Sequence, residues 1–215
     1  MKQGDAQRTK KFKHVFLDAE GTLYVPKGGK SRWLFWAAPS PEAAVEFFEL
    51  DTGVKEALEK IREQVDTLCI VSKNPEDILN ALLVKFGIRH LFDEVMLNDN
   101  KGKLIANYLH RKGFRREDSV MVGDMPALDL FPVRRMGIEA VLVDRSYNSW
   151  VKAERIKGIS ELPSWLKIAD LAEQMGQERP YIASLDDFQT ADIFRDVLAR
   201  TGGKQTKRLM AAQGT

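Results

Sequence analysis

His14-Val15-Phe16-Leu17-Asp18-Ala19-Glu20-Gly21-Thr22-Leu23 carries a short, largely apolar run straight into two carboxylates and a glycine turn. The run is too short for a helix and is rich in β-formers, so it reads as a buried strand ending in charge. The same design recurs downstream. Thr67 to Val71 is an apolar run followed by Ser72-Lys73-Asn74. Glu94 to Leu97 is a short strand, with Lys101-Gly102 a few residues on. Ser119 to Val122 runs into Gly123-Asp124, with Asp129 five residues further, and Ile138 to Val143 is one more strand.

Between these runs the apolar residues fall at helical spacing. Val54, Ala57, Leu58, Ile61 and Val65 form one stripe, with Asp51 or Thr52 as its cap. Ile78, Leu79, Leu82, Leu83 and Phe86 form a second, with Asn74 as N-cap, Pro75 as first helical residue and Gly87 as the stop. Leu104, Ile105, Tyr108 and Leu109 form a third, ended by Gly113, and a fourth helix ends near Gly137. Alternating strands and helices predict an α/β fold, a three-layer doubly wound parallel sheet covered on both faces. Ligands bind such sheets at the carboxyl ends of the strands, and every charged segment quoted above falls at one.

The inventory collected there is specific. Asp18 is a carboxylate nucleophile, Glu20 a second carboxylate, Thr22 and Ser72 hydroxyls, Lys101 and Lys73 cations, and Asp124 and Asp129 further acids. That set suits attack on a phosphate monoester held by Mg²⁺. His14, His90 and His110 have no metal-ligand spacing and offer no rival site.

From about Phe12 to Asp144 the pattern resembles the haloacid dehalogenase superfamily: D-x-D-G-T-[LV], then a Ser or Thr at the end of the second strand, a Lys, and G-D-x-x-x-x-D. The resemblance implies a Rossmann-like core and a phosphatase acting through an aspartyl phosphate. Asp18 is then the nucleophile and Glu20 the acid/base. Lys101 screens charge, with Lys103 the runner-up. Thr22, Ser72 and Lys73 contact substrate, and Mg²⁺ is held by Asp18, the Glu20 carbonyl, Asp124 and Asp129. Glu20 departs from the pattern, since most members carry Asp there; phosphatases resembling the enolase-phosphatases of methionine salvage carry Glu. Asn74 is assigned to helix capping, and Asp129 reads equally well as a charge at a helix start.

Only 49 residues separate Thr22 from Ser72, and the interval from Lys101 to Asp124 holds one helix and one strand. Neither leaves room for a cap domain, so the chain resembles the capless magnesium-dependent phosphatase group, with residues 24–50 as a loop flap. That flap carries Lys30, Arg32, Trp33, Phe35 and Trp36. Residues 145–179 read as a helical insertion, Tyr181 to Ala183 as a last strand and Asp186 to Ala199 as a closing helix. The domain reading is therefore a basic tail over 1–12, one domain over 13–200 and a second basic tail over 201–215.

The bulk numbers fit this. A length of 215 residues supports one domain with a proper core. No apolar stretch approaches a membrane span and no secretory signal precedes the first strand, so a cytoplasmic setting is expected. Cys69 is the single cysteine, inside an apolar run, and reads as a buried small hydrophobe. The net charge of +2 combines +4 in residues 1–13, +4 in residues 200–215 and −6 between them. Solvated, frayed tails account for that better than nucleic acid. The expected partner is a phosphorylated small molecule or a phosphoprotein. A nucleic-acid end-processing phosphatase and a non-catalytic module of the same fold are the alternatives. A homodimer is left open.

Overall fold

The computed structural model describes residues 11–174. Its frame is a six-stranded, wholly parallel sheet of β1 (His14–Leu17), β4 (Thr67–Ser72), β5 (Glu94–Leu97), β6 (Ser119–Gly123), β7 (Glu139–Val143) and β8 (Arg155–Ile156), in the order β5-β4-β1-β6-β7-β8. A separate antiparallel pair is formed by β2 (Tyr24–Pro26) and β3 (Phe48–Leu50). The helices are α1 (Arg32–Trp36), α2 (Pro41–Phe47), α3 (Val54–Gln64), α4 (Glu76–Lys85), α5 (Lys101–Lys112), α6 (Phe131–Arg134) and α7 (Leu162–Gln174).

The strands read as continuous apolar runs because both faces are covered. Val15, Leu17, Leu68, Ile70, Val120 and Val122 share one face with the apolar stripes of α3, α4 and α7. Phe16, Cys69, Val71, Met121 and Ala140 share the other with α5 and α6. Alternation along each strand sorts the residues into these two layers. Leu17 and Ile70 are fully buried, so truncating either to Ala should cost about 2–5 kcal/mol. Among the described residues no helix is long and apolar enough to cross a membrane.

Chain order reverses at β1, whose neighbours are β4 on one side and β6 on the other, in register His14↔Thr67 and His14↔Ser119. A crevice opens at such a reversal, beyond the carboxyl ends of the strands. Asp18 is the first residue past β1, and its N–H donates to the Val122 carbonyl at 2.9 Å.

Several local readings change. α3 begins after Gly53, which adopts φ +71° and offers no side-chain cap; the Asp51 carboxylate is taken by Arg145 at 2.5 Å. Asn74 does not cap α4, whose N-cap is Pro75, because the Asn74 amide donates to the Tyr24 hydroxyl at 2.8 Å instead. The flap is more ordered than a loop. Ser40 caps α2 by accepting from the Ala43 N–H at 3.1 Å, with Pro41 at the first helical position, and β2 pairs with β3 to close its base. Residues 145–174 hold α7 and, in addition, β8, which pairs with Leu142 and Val143 and extends the sheet. A two-residue strand has no periodicity to read. The strand assigned to 181–183, the helix assigned to 186–199, residues 1–10 of the basic tail over 1–12 and the basic tail over 201–215 lie outside the described residues.

Candidate active site

Three buried carboxylates, Asp18, Asp124 and Asp129, offer oxygens within 4.8 Å of one another. One cation stands among them. Lys101 is only 1 % exposed, and its Nζ lies 2.6 Å from Asp18 Oδ1 and 2.6 Å from Asp129 Oδ1. The lysine opens α5, where Asn100 caps the helix through the Lys103 N–H. A side chain on Gly102 would strike the backbone carbonyl of Pro132, so the start of α5 sits flush against α6 and Lys101 is carried inward. Lys103 is exposed.

Two more glycines make room for the carboxylates. A Cβ on Gly123 would collide with the carboxylate of Asp129, and one on Gly21 with that of Asp124. Gly21 also has φ +80°, a conformation glycine adopts at no steric cost. It lies in the tight turn after β1, where the Leu23 N–H donates to the Ala19 carbonyl at 2.7 Å.

The partners of each acid separate their roles. Asp129 is saturated: Oδ1 faces Lys101, and Oδ2 accepts from the Met125 N–H at 2.8 Å. Asp124 is fully buried. Its Oδ2 accepts from the Tyr147 hydroxyl and from Arg32 Nη2, the latter at 3.2 Å. Among the described residues its buried Oδ1 has no hydrogen-bond partner. Burial, then the charge of Asp18, pushes the Asp124 carboxyl up, with Arg32 opposing. Burial and Asp18 likewise push Asp129 up to about 7, against Lys101. Burial alone would lower Lys101, but Asp129 and Asp18 outweigh it and hold the ammonium charged.

Asp18 and Asp129 therefore share Lys101, Asp124 is met by Arg32, and one buried oxygen of Asp124 is left unpaired. An uncompensated buried charge costs several kcal/mol. A small divalent cation bound through one or two carboxylates removes that cost, so the donor set fits Mg²⁺.

Glu20 is also buried, and both of its neighbours come from the flap. Trp36 Nε1 donates to its Oε2 at 3.1 Å, and Arg32 Nε lies 3.6 Å from its Oε1. Burial raises its pKa, while Arg32 and the Trp36 N–H pull the other way. Ser72 ends β4, is buried, and its Oγ accepts from the Asn74 N–H at 3.1 Å, which leaves the hydroxyl proton to donate elsewhere. Thr22 is fully buried and its hydroxyl has no partner among the described residues. Lys73, by contrast, is exposed, and among the described residues no side-chain bond joins it to the cluster.

Three contributors escape the sequence reading. Tyr147 donates its hydroxyl to Asp124 and lies against Arg32, whose guanidinium carbon is 5.0 Å from its ring centre. Asn148 is fully buried and donates to the backbone carbonyls of Asp124 at 2.7 Å and Val143 at 2.9 Å. Arg145 Nε donates to the Gly21 carbonyl at 2.8 Å, pinning the turn after β1. All three follow β7, and the end of a parallel strand is where they should have been sought.

Comparison with known proteins agrees with this geometry. The family model described as haloacid dehalogenase-like hydrolase matches residues 39–143. A glyceraldehyde 3-phosphate phosphatase from Methanothermobacter thermautotrophicus is 35% identical over 68 residues, which is 29% of this chain and 30% of that protein. A phosphoglycolate phosphatase from Synechococcus elongatus is 27% identical over 121 residues, 55% of this chain and 54% of that protein. The chain thus spans about a third to a half of these curated relatives. The crystal structure of a HAD phosphatase from Thermococcus onnurineus superposes with a TM-score of 0.59 at 19% identity, over 72% of this chain and 98% of that one. A parallel sheet of this order, with acids gathered at its reversal point, agrees with the match of residues 39–143 to the haloacid dehalogenase-like hydrolases.

Proposed function

We propose that this chain is a capless, Mg²⁺-dependent phosphomonoesterase that works through an aspartyl phosphate on Asp18. The observation that carries the reading is the surplus of buried negative charge around Lys101, with Asp124 Oδ1 left unpartnered. Asp18, Asp124 and the Glu20 carbonyl would hold the metal, with Asp129 as anchor of Lys101. When bound, Mg²⁺ supplies positive charge that offsets the carboxylates and the incoming phosphate.

The rest is done by the chain's own groups. Asp18 attacks phosphorus, forming an O–P bond as the bond to the leaving oxygen breaks. Glu20 gives its proton to that oxygen. Lys101 sets a fixed positive charge against Asp18 and the phosphate, and Ser72 and Thr22 have hydroxyl protons to donate to phosphate oxygens. Water then attacks the aspartyl phosphate and passes a proton to Glu20, which restores Asp18 and releases phosphate.

The substrate we favour is a small phosphometabolite, with a phosphoprotein as the larger alternative. The names of the two curated relatives support short phosphate esters. A reducing, cytoplasmic setting suits the lone buried Cys69, whose thiol burial pushes up to about 11. The test is phosphate release from a panel of phosphorylated metabolites with Mg²⁺ and with chelator. Release that depends on both Mg²⁺ and Asp18 is expected; release that survives chelator or Asp18→Asn overturns the mechanism.

A further inference from the structure

Trp36 stands at the end of α1, in the flap, and its indole N–H reaches Glu20 in the turn after β1. The indole is itself held. Phe35 is buried and packs edge-on against Trp36 at 4.8 Å and against Phe48 at 5.0 Å. Phe48 in turn meets Tyr24 at 5.3 Å, which brings the aromatic chain back to the first residue of β2. The donor is therefore fixed by packing before any substrate arrives, and a fixed donor is what orients a reacting group at little cost during the reaction.

The length of Glu20 matters here. An Asp at this position would end about 1.5 Å short, one C–C bond length, and the 3.1 Å contact to Trp36 Nε1 would open beyond hydrogen-bond range. The longer acid and the flap tryptophan form a matched pair.

We propose that Trp36 is a positioning residue for Glu20, so that the acid is aligned for proton transfer to the leaving group only with the flap seated. The inference rests on the phosphatase reading above and adds a second residue to the proton transfer. The proton moves from the Glu20 carboxyl to the leaving-group oxygen as the P–O bond breaks; Trp36 keeps its own proton and fixes the carboxyl.

The experiment uses the full chain with Mg²⁺ and two esters, p-nitrophenyl phosphate and an alkyl phosphate. The nitrophenolate departs with little help from an acid, whereas an alkoxide needs the proton. Trp36→Phe keeps a ring and removes the donor. It should lower kcat/KM on the alkyl ester by about tenfold to a hundredfold, and on the aryl ester severalfold less. Glu20→Asp should show the same selectivity, and the double variant should lose little beyond either single one, as expected for residues acting as a unit. The Trp36 indole N–H resonance should shift in Glu20→Asp protein, which reads the contact without turnover. Equal losses on both esters, additive losses in the double variant, or an unmoved indole resonance would overturn the inference while wild-type protein still hydrolyses the aryl ester. An inactive wild type would overturn both readings together.

Discussion

The two ends of the same strands bury polar groups to opposite effect. At the amino ends, His14 Nδ1 lies 3.2 Å from the Thr67 hydroxyl and its ring stacks on Phe114 at 3.9 Å. Asp118 is paired with Arg115 at 2.6 Å and Lys13 at 3.3 Å, and the Ser119 hydroxyl donates to the Arg115 carbonyl at 3.0 Å. Burial would raise the Asp118 carboxyl, but these cations outweigh it and hold it below its ordinary value. At the carboxyl ends the acids outnumber the lysine, the Asp124 and Asp129 carboxyls are pushed up, and Asp124 Oδ1 and Thr22 Oγ1 have no partner. Burial of polarity does not mark a site. Buried polarity left unbalanced does, because a ligand can remove its cost.

The sharpest way to break the comparison is at Asp18. Asp18→Asn should cut turnover by about 10⁴-fold or more, as removal of a nucleophile does, while the melting temperature stays near wild type. A folded variant that still turns over with Mg²⁺ would show that the unbalanced end is not reactive.

Next in size is Lys101→Met. It removes the buried cation that Asp18 and Asp129 share, and breaking such a pair by one partner costs about 3–5 kcal/mol. The loss should be largest in chelator and should shrink as Mg²⁺ is added, more than wild type gains from the same addition. Thermal melts at both extremes measure it. An indifferent melting temperature would mean the acids are already balanced.

The flap should respond differently again. Arg32 contacts Asp124, Glu20 and Tyr147, so Arg32→Ala should reorder phosphorylated substrates more than it slows p-nitrophenyl phosphate. Trp33 is 71% exposed, and Trp33→Ala should change stability by no more than about 0.5 kcal/mol. A panel of esters assayed on both variants separates a residue that faces the site from one that faces solvent.

What the sequence discloses follows the same divide. Strands buried on both faces announce themselves as apolar runs, and a charge directly after such a run is conspicuous. That is why Asp18, Ser72, Gly123 and Asp124 could be placed, and with them the parallel sheet. Lys101 lay in a polar stretch with no local signal; resemblance to a family pattern singled it out, and its burial comes from the contact of Gly102 with α6. Tyr147, Asn148 and Arg145 act across more than a hundred residues of chain or through backbone carbonyls, where no periodicity points. The proline after Asn74 suggests a cap, but the Asn74 amide donates to the buried Tyr24 hydroxyl instead. Local pattern reads strands and their ends; it does not read which loop folds back over them.

The smallest effect expected is at the balanced end. Burial lowers the pKa of His14, with Asp66 and Asp118 opposing. At His14 the unfolded chain, where histidine titrates near 6.5, therefore binds more protons than the folded one between the two values. Stability contributed by neutral His14 is complete above the unfolded pKa and falls away as pH drops toward the folded one. His14→Gln keeps a hydrogen-bonding side chain and removes the titration. Its stability should vary less with pH on the acid side of about 6.5, the difference in slope being at most about 1.4 kcal/mol per pH unit, the value for one proton. Asp118 does not confuse the measurement, since its contribution is lost only at lower pH, around and below the ordinary carboxylate range. Denaturant unfolding of both proteins from pH 5 to pH 8 gives the slopes. The variant should keep wild-type activity on p-nitrophenyl phosphate, because His14 sits at the far end of β1 from Asp18. Parallel slopes would mean that His14 is not neutralised by burial; a loss of activity would mean that the two ends of the sheet are not independent.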